Sequence, residues 1–445
     1  MGFPRMAVFR RQAAGKGAAT TGDSRSVALR SILRHAASVP LYRERYLAAG
    51  VPPHAVESGD LESHFACLPT LEPEELIARS QLLRASSERA FRVTCSGGSC
   101  GVPKVLYRTA ADWDASVRNM VRVLRTADLR QTDSFLIVQP FGIWAIGHLA
   151  LDACREIGCV AAPVGIHHDG AQILDFMDRF GVTAVFATPS LWKSITSMRD
   201  ASKRRVPVRV LTAGEKLSAS DREFLSAWGG GVRELYGSEE TDGLAAECGR
   251  APGMHMLEDS FLFELIGASG PIDHSKPGVH EGELVITSLY HRGTPLVRYR
   301  LGDMVRIHRC AMDCACGSTE PRLEILGRRG QRLQLFDATK VYLYQVEAAA
   351  RCALERDVSV QLALDDGPGA TEILHVLLRE PAGEHEVSRV REAVARSSLD
   401  LADSVARGQV DLRVTAGSGI HEASAKGKQH QIIDRRTPRQ RGASQ

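Results

Sequence analysis

Between Phe135 and Tyr236, five short runs rich in Val and Ile alternate with helical segments, and that alternation leaves few architectures open. The runs are Phe135 to Val138, Cys159 to Val164, Thr183 to Ala187, Val208 to Thr212 and Val232 to Tyr236. Helices are predicted over Ala145 to Ile157, Ala171 to Phe180, Leu191 to Met198 and Ser218 to Trp228. Strands that are apolar at almost every position must be covered on both faces, which predicts an α/β fold built on layered, mostly parallel sheets. Such sheets bind ligands at the carboxyl ends of their strands. Polar and glycine-rich residues gather at those ends: Phe141-Gly142 with Trp144, Thr188-Pro189-Ser190, Ala213-Gly214-Glu215, and Gly237-Ser238-Glu239-Glu240. Four such loops at one rim describe a site.

A further glycine-rich stretch precedes this region. Ser96-Gly97-Gly98-Ser99-Cys100-Gly101-Val102-Pro103-Lys104 follows the apolar run Ala90 to Val93. Glycines let backbone N–H groups approach an anion, and two hydroxyls add donors, so the stretch reads as a phosphate cradle. An ordinary Gly/Ser turn is the alternative. A Walker loop is excluded, because Val102 and Pro103 stand where Lys and a hydroxyl residue are required. Thr109 and Asp112 predict a capping box for a helix whose apolar face is Trp113, Val117, Met120, Val121 and Leu124.

At 445 residues the chain exceeds what one core usually supports. A net charge of +3 with dispersed basic residues gives no argument for nucleic acid, and no apolar run reaches the roughly 18 residues of a membrane span. Ten cysteines in so long a chain suit a reducing cytoplasm better than a disulfide framework. Residues 1–22 read as a disordered basic tail and 436–445 as another. The large unit is expected over 23–327, with a smaller sheet from Asp259, and a compact α+β unit over 328–435, the Gly/Arg cluster at 327–330 marking the boundary.

The order of these motifs resembles the adenylate-forming superfamily of acyl- and aryl-CoA synthetases, and within it the phenylacetate-CoA ligase branch. The likeness runs from about Ala28 to Arg435. Its landmarks are Ala28 to His35 with Val39-Pro-Leu-Tyr42, the Ser96 to Lys104 loop, Ala213-Gly-Glu215, Tyr236-Gly-Ser-Glu-Glu240, Gly282 to Thr287, Pro295 to Asp303, Ile325-Leu-Gly-Arg328, and Gly427-Lys428 with Ile432-Ile-Asp434.

The resemblance implies a large adenylate-forming domain with a small mobile C-terminal domain, and activation of a carboxylic acid by ATP. Ser96, Gly97, Gly98, Ser99, Gly101 and Lys104 would hold the phosphates, and Glu240 would be both a catalytic residue and the Mg²⁺ ligand. Asp303 would take the ribose hydroxyls, Arg328 the ribose or phosphate, and Tyr236 with Gly237, Ala213, Gly214 and Glu215 the adenine side. The residues alone would also allow a helix N-cap at Glu240, a turn Asp at 303 and a hinge Arg at 328. Lys428, with Lys426 second, matches the catalytic lysine of the mobile domain; a basic tail is the alternative. Phe141, Gly142 and Trp144 suit a planar ring and favour an aromatic acid, although core packing explains the two aromatics as well.

Cys248-x₆-His255 and Cys314-x-Cys316, with Cys310 spare, offer three thiolates and one imidazole, a closed structural Zn²⁺ set comparable to that of phenylacetate-CoA ligase relatives. Unpaired turn cysteines are the alternative, C-x-C being tighter than the usual C-x₂-C. Several positions depart from the family: Glu239 replaces a Ser or Thr, Leu301 a Thr, Gly330 the hinge acid, and Phe336-Asp337 an Arg-Gly pair. The last two bear on thioester formation. Coenzyme A, a carrier protein, an amine or an alcohol are therefore all open as acceptor, and a natural-product pathway would suit that drift. A homodimer is equally open.

Overall fold

The computed structural model describes residues 20–96, 104–197, 207–267, 270–309, 314–335, 339–368, 371–417 and 431–436. Gly97, Gly98, Ser99, Gly101, Cys310, Phe336, Asp337, Lys426 and Lys428 lie outside these residues, as do residues 1–19 and 437–445 of the two expected tails. The helix Thr20–Ala37 begins inside the first of them.

A hairpin of β1 (Arg92–Cys95) and β2 (Val105–Arg108) comes first. The expected alternation then follows as β3 (Ser134–Val138), β4 (Val160–Pro163), β5 (Ala184–Ala187), β6 (Val208–Thr212) and β7 (Gly229–Ser238). These five pair in parallel in the order β4-β3-β5-β6-β7. Strand side chains alternate between faces, and here the alternation separates two cores. Phe135, Ile137 and Phe186 pack with Met120, Leu124, Leu149 and Ala153, from the helices Ala110–Thr126 and Ile146–Ile157. Leu136, Val138 and Val185 pack with Ile173, Met177, Trp192 and Leu225, from the helices on the other face.

The sheet does not end at β7. It continues antiparallel through β8 (Asp242–Glu247) and β9 (Met254–Met256), then β14 (Arg322–Arg328), β13 (Tyr299–Arg309), β12 (Gly278–Ser288), β10 (Phe261–Gly267) and β11 (Gly270–Ile272). The smaller sheet expected from Asp259 is thus the antiparallel half of one mixed sheet of 12 strands. The change of direction comes from the tight turn at 238–242, which lets β7 pair directly with β8 where a crossover helix would have kept the strands parallel.

Beyond the short pair β15 (Arg332–Gln334) and β16 (Lys340–Tyr342), a four-stranded sheet has the order β19 (Val410–Ala416), β18 (Glu372–Leu378), β17 (Val360–Asp366), β20 (Ile432–Asp434). It has its own hydrophobic cluster, drawn from residues between Leu333 and Val414. Lys216 ties this unit to the large sheet, donating to the Leu326 carbonyl at 3.1 Å and the Glu347 carboxylate at 3.2 Å. Among the described residues no helix is long and apolar enough to cross a membrane.

The helical N-terminal segment is fastened by buried polar groups. The Tyr42 hydroxyl donates to the Pro295 carbonyl at 3.0 Å and accepts from the Val297 N–H at 2.9 Å. Tyr42→Phe leaves two buried backbone groups unpaired and is expected to cost about 1–3 kcal/mol. The expected readout is a lower urea midpoint with an unchanged slope.

Candidate functional site

The hairpin β1/β2 holds the mouth of the glycine-rich stretch. Ser96 N–H donates to the Lys104 carbonyl at 3.0 Å, and Lys104 N–H donates back to Ser96 Oγ at 3.1 Å. The Lys104 ammonium then reaches the Glu240 carboxylate and, at 3.2 Å, the Tyr299 hydroxyl. Tyr299 in turn donates to Glu240 at 2.8 Å. Glu240 is only 3% exposed. Burial disfavours its ionised form, but the Lys104 ammonium and the Tyr299 hydroxyl more than offset this and hold its carboxyl below the usual carboxylate range.

A second carboxylate lies in the same region. Asp303 accepts from the Tyr236 hydroxyl at 2.7 Å and from Arg328 Nε at 2.8 Å. The last contact follows from sheet register, because Asp303 and Arg328 are cross-strand partners on β13 and β14. Burial, then the Asp303 carboxylate, pushes the Tyr236 phenol well above its ordinary range, so it stays a donor. Tyr299, Leu301 and Asp303 are buried while Arg300 and Gly302 between them are not. That two-residue period is the signal that could have added Tyr299 to the expected site.

The turn between β7 and β8 carries Glu240. It is held by the Ser238 N–H on Thr241 Oγ1 at 3.0 Å and the Thr241 N–H on the Ser238 carbonyl at 3.2 Å. Asp242 closes it at φ +58°. Glu239 takes a different partner, its carboxylate accepting from the Ala145 N–H at 3.0 Å. Burial and the Asp242 carboxylate push the Glu239 carboxyl up to about 8, against the opposing pull of Arg108 and that amide.

The same bond fixes the Phe141 to Trp144 loop. Its Ile143 carbonyl accepts from the Cys95 N–H at 3.2 Å, which sets the loop beside the β1/β2 hairpin. Phe141 is half-buried, edge-on to His148 at 5.1 Å, and Gly142 takes φ +77°. In the remaining loop, Ala213 is buried, Gly214 has φ +85°, and the Glu215 carboxylate accepts from the Ser190 N–H at 3.2 Å.

On the antiparallel half, Cys248, His255, Cys314 and Cys316 place their ligand atoms within 4.8 Å of one another. Cys248 Sγ is 3.8 Å from Cys314 Sγ, and Cys316 Sγ is 3.3 Å from His255 Nε2. A tetrahedron of thiolates about 2.3 Å from its centre has edges of about 3.8 Å. His255 Nδ1 lies 3.1 Å from the Glu320 carbonyl, an arrangement that leaves Nε2 for the cluster.

A Cβ on Gly237 would lie 1.7 Å from the Asp242 carbonyl oxygen, so alanine there cannot coexist with the Glu240 turn. Gly330, whose Cβ would meet nothing within 4 Å, is the control. Gly237→Ala is expected to lower the unfolding free energy by about 3 kcal/mol or more, and Gly330→Ala to change it by less than about 0.5 kcal/mol. Equal midpoints in chemical denaturation would contradict the turn geometry.

Residues 49–262 match the family model described as AMP-binding enzyme. Phenylacetate-coenzyme A ligase from Thermus thermophilus is 26% identical over 438 residues, 89% of this chain and 92% of that protein. The enzyme of the same name from Aromatoleum evansii is 27% identical over 297 residues, 62% of this chain and 64% of that one, so against it the match spans less than two thirds of the relative's length. A 2-hydroxyisobutyryl-CoA ligase in its postadenylation state, in complex with 2-HIB-AMP, aligns with a TM-score of 0.69 at 19% identity, over 94% of this chain and 90% of that one, a likeness of fold. The match over residues 49–262 to the AMP-binding enzyme family and the similarity to proteins named phenylacetate-coenzyme A ligase support an adenylate-forming enzyme of the phenylacetate-CoA ligase-like branch.

Proposed function

We propose that the chain uses ATP to convert an aromatic carboxylic acid to its acyl-adenylate, releasing pyrophosphate, and passes the acyl group to coenzyme A. The observation that carries this reading is the convergence of the phosphate-loop cation Lys104 on the buried Glu240, next to Asp303 held between Tyr236 and Arg328. Attack of a carboxylate on the α-phosphorus brings two anions together, and fixed cations and N–H donors must offset their repulsion. In this reading Ser96 and Lys104, with the loop between them, hold the β- and γ-phosphates. Asp303 accepts from the ribose hydroxyls, Arg328 reaches the ribose or phosphate, and Tyr236 and Gly237 with Ala213, Gly214 and Glu215 border the adenine.

Glu240 suits Mg²⁺: it is an ionised hard-oxygen donor whose counter-charge is the ammonium of Lys104. Bound there, the ion supplies positive charge to the phosphate oxygens. Phe141 and Trp144, beside the hairpin, support an aromatic acid, and Lys428 is the cation for its carboxylate. The small unit beyond Arg328, with its separate core, is the part that would bring Lys428 in. A second reading, transfer to a carrier protein, amine or alcohol, is favoured by Gly330, where the hinge carboxylate is missing.

The expected result is Mg²⁺-dependent pyrophosphate exchange with at least one member of a panel of aromatic acids. Lys428→Ala lowers it about 100-fold or more while ATP affinity changes little, because a cation on a moving unit acts mainly in the transition state. Exchange with none of the acids counts against the reading, and an unchanged rate in the variant moves the role to Lys426. Adding coenzyme A separates the two acceptors: thioester formation as fast as adenylation favours the first.

For the Cys248, His255, Cys314 and Cys316 cluster we propose a structural Zn²⁺, supported by three soft donors and one imidazole within 4.8 Å of one another, the Cys248–Cys314 pair at the 3.8 Å of a tetrahedral edge. Freshly purified protein is expected to carry one zinc per chain by elemental analysis, and chelation to lower the melting temperature. Metal-free protein with the same melting temperature ends this proposal.

A further inference from the structure

We infer that Arg108 is a positioning residue for the nucleotide site, its guanidinium clamping the main chain of the Glu239–Asp242 turn and so aiming the Glu240 carboxylate. The inference rests on the function proposed above. Arg108 ends β2, the strand that begins one residue after Lys104, and is 2% exposed. One terminal nitrogen donates to the Glu239 carbonyl at 2.6 Å and to the Asp242 carboxylate at 3.2 Å, with the Glu240 carbonyl at 3.5 Å. The other meets His291 Nε2. Asp242 is fixed from its far side by the Ser116 hydroxyl, which donates at 2.5 Å. One short segment therefore grips one turn twice: Lys104, just before β2, takes the Glu240 side chain, and Arg108 at the strand's end takes the backbone.

The turn needs such a grip. Asp242 sits at φ +58°, and a non-glycine residue in that region costs roughly 1 kcal/mol or more, so it persists only where its surroundings over-determine it. Packing alone does not call for a buried Arg–Asp pair, since apolar residues of similar volume often fill such space at no loss of stability. Apolar residues cannot donate to consecutive carbonyls. With the Glu239 and Glu240 carbonyls turned toward Arg108, the two side chains take different partners: Glu239 the Ala145 amide, Glu240 the Lys104–Tyr299 pair.

The test is a double-mutant cycle between Arg108→Lys and Glu240→Gln. Its readout is ATP affinity as a function of free Mg²⁺, measured by calorimetry on the full chain. Arg108→Lys keeps the charge and loses the planar fork. It is expected to raise the Mg²⁺ concentration needed for half-maximal enhancement of ATP binding about tenfold. In the Glu240→Gln background the same change is expected to have less than about a twofold effect. Equal shifts in both backgrounds show a general structural role and overturn the inference. Should Arg108→Lys not fold, Ser116→Ala removes only the hydroxyl that fixes Asp242 and carries the same cycle with about a threefold shift. If wild-type protein neither binds Mg²⁺-ATP nor catalyses exchange, the functional reading itself falls and takes this inference with it. Wild-type exchange combined with an additive cycle overturns the inference alone.

Discussion

The arrangement of this protein turns on a buried carboxylate that stays ionised. Removing Glu240 from water costs several kcal/mol unless an opposite charge and hydrogen bonds replace the solvent. Lys104 and Tyr299 provide that replacement, and they come from distant parts of the chain, a hairpin near residue 100 and a strand near residue 300. Satisfying this one group therefore joins the hairpin, the β7–β8 turn and the antiparallel half of the sheet around a single point. The Asp303 group follows the same logic, with Tyr236 and Arg328 bringing β7 and β14 to β13.

Sheet topology makes this junction possible. Parallel strands deliver loops to one rim, and β7 is the last of them. Because the next connection is a tight turn, β8 returns beside β7 and the antiparallel strands continue from the same rim. Tyr236, at the end of β7, and Asp303, on β13, can then face each other although 67 residues separate them. The turn that makes this reversal carries the site's most buried acid. Its strain at Asp242 and the close approach at Gly237 are the local cost of placing a carboxylate where a sheet changes direction.

Much of this was legible in the chain. The apolar runs at 135–138, 183–187 and 208–212 read as two-sided strands because each residue type repeats what burial on both faces requires, and the structure divides them between two cores as that reading implies. The Thr109–Asp112 capping box was legible because both bonds are local, at 3.0 Å each. Glu240 and Asp303 stand out in the sequence through motif order, and the Cys/His cluster, which the structure brings together, through ligand type and spacing. Arg108 was not legible, since a lone Arg in a strand carries no signal until its partners are known, whereas Tyr299 shares the two-residue period of Leu301 and Asp303 and only its contact with Glu240 needed the structure. The role of Glu239 was legible only as a departure from the expected residue.

By itself, then, the sequence determined what depends on neighbours along the chain: strand and helix periodicity, the caps, the glycine-rich loops, and the order of motifs that names the family. Tertiary structure decided what depends on register and burial. It joined the two sheets into one, paired Asp303 with Arg328 across a ladder, turned Glu239 to the Ala145 amide and gave Glu240 its cation. The physical reason is that a local pattern fixes which face a side chain occupies. The low dielectric of the interior, where each charge must find a partner, fixes which residue it meets.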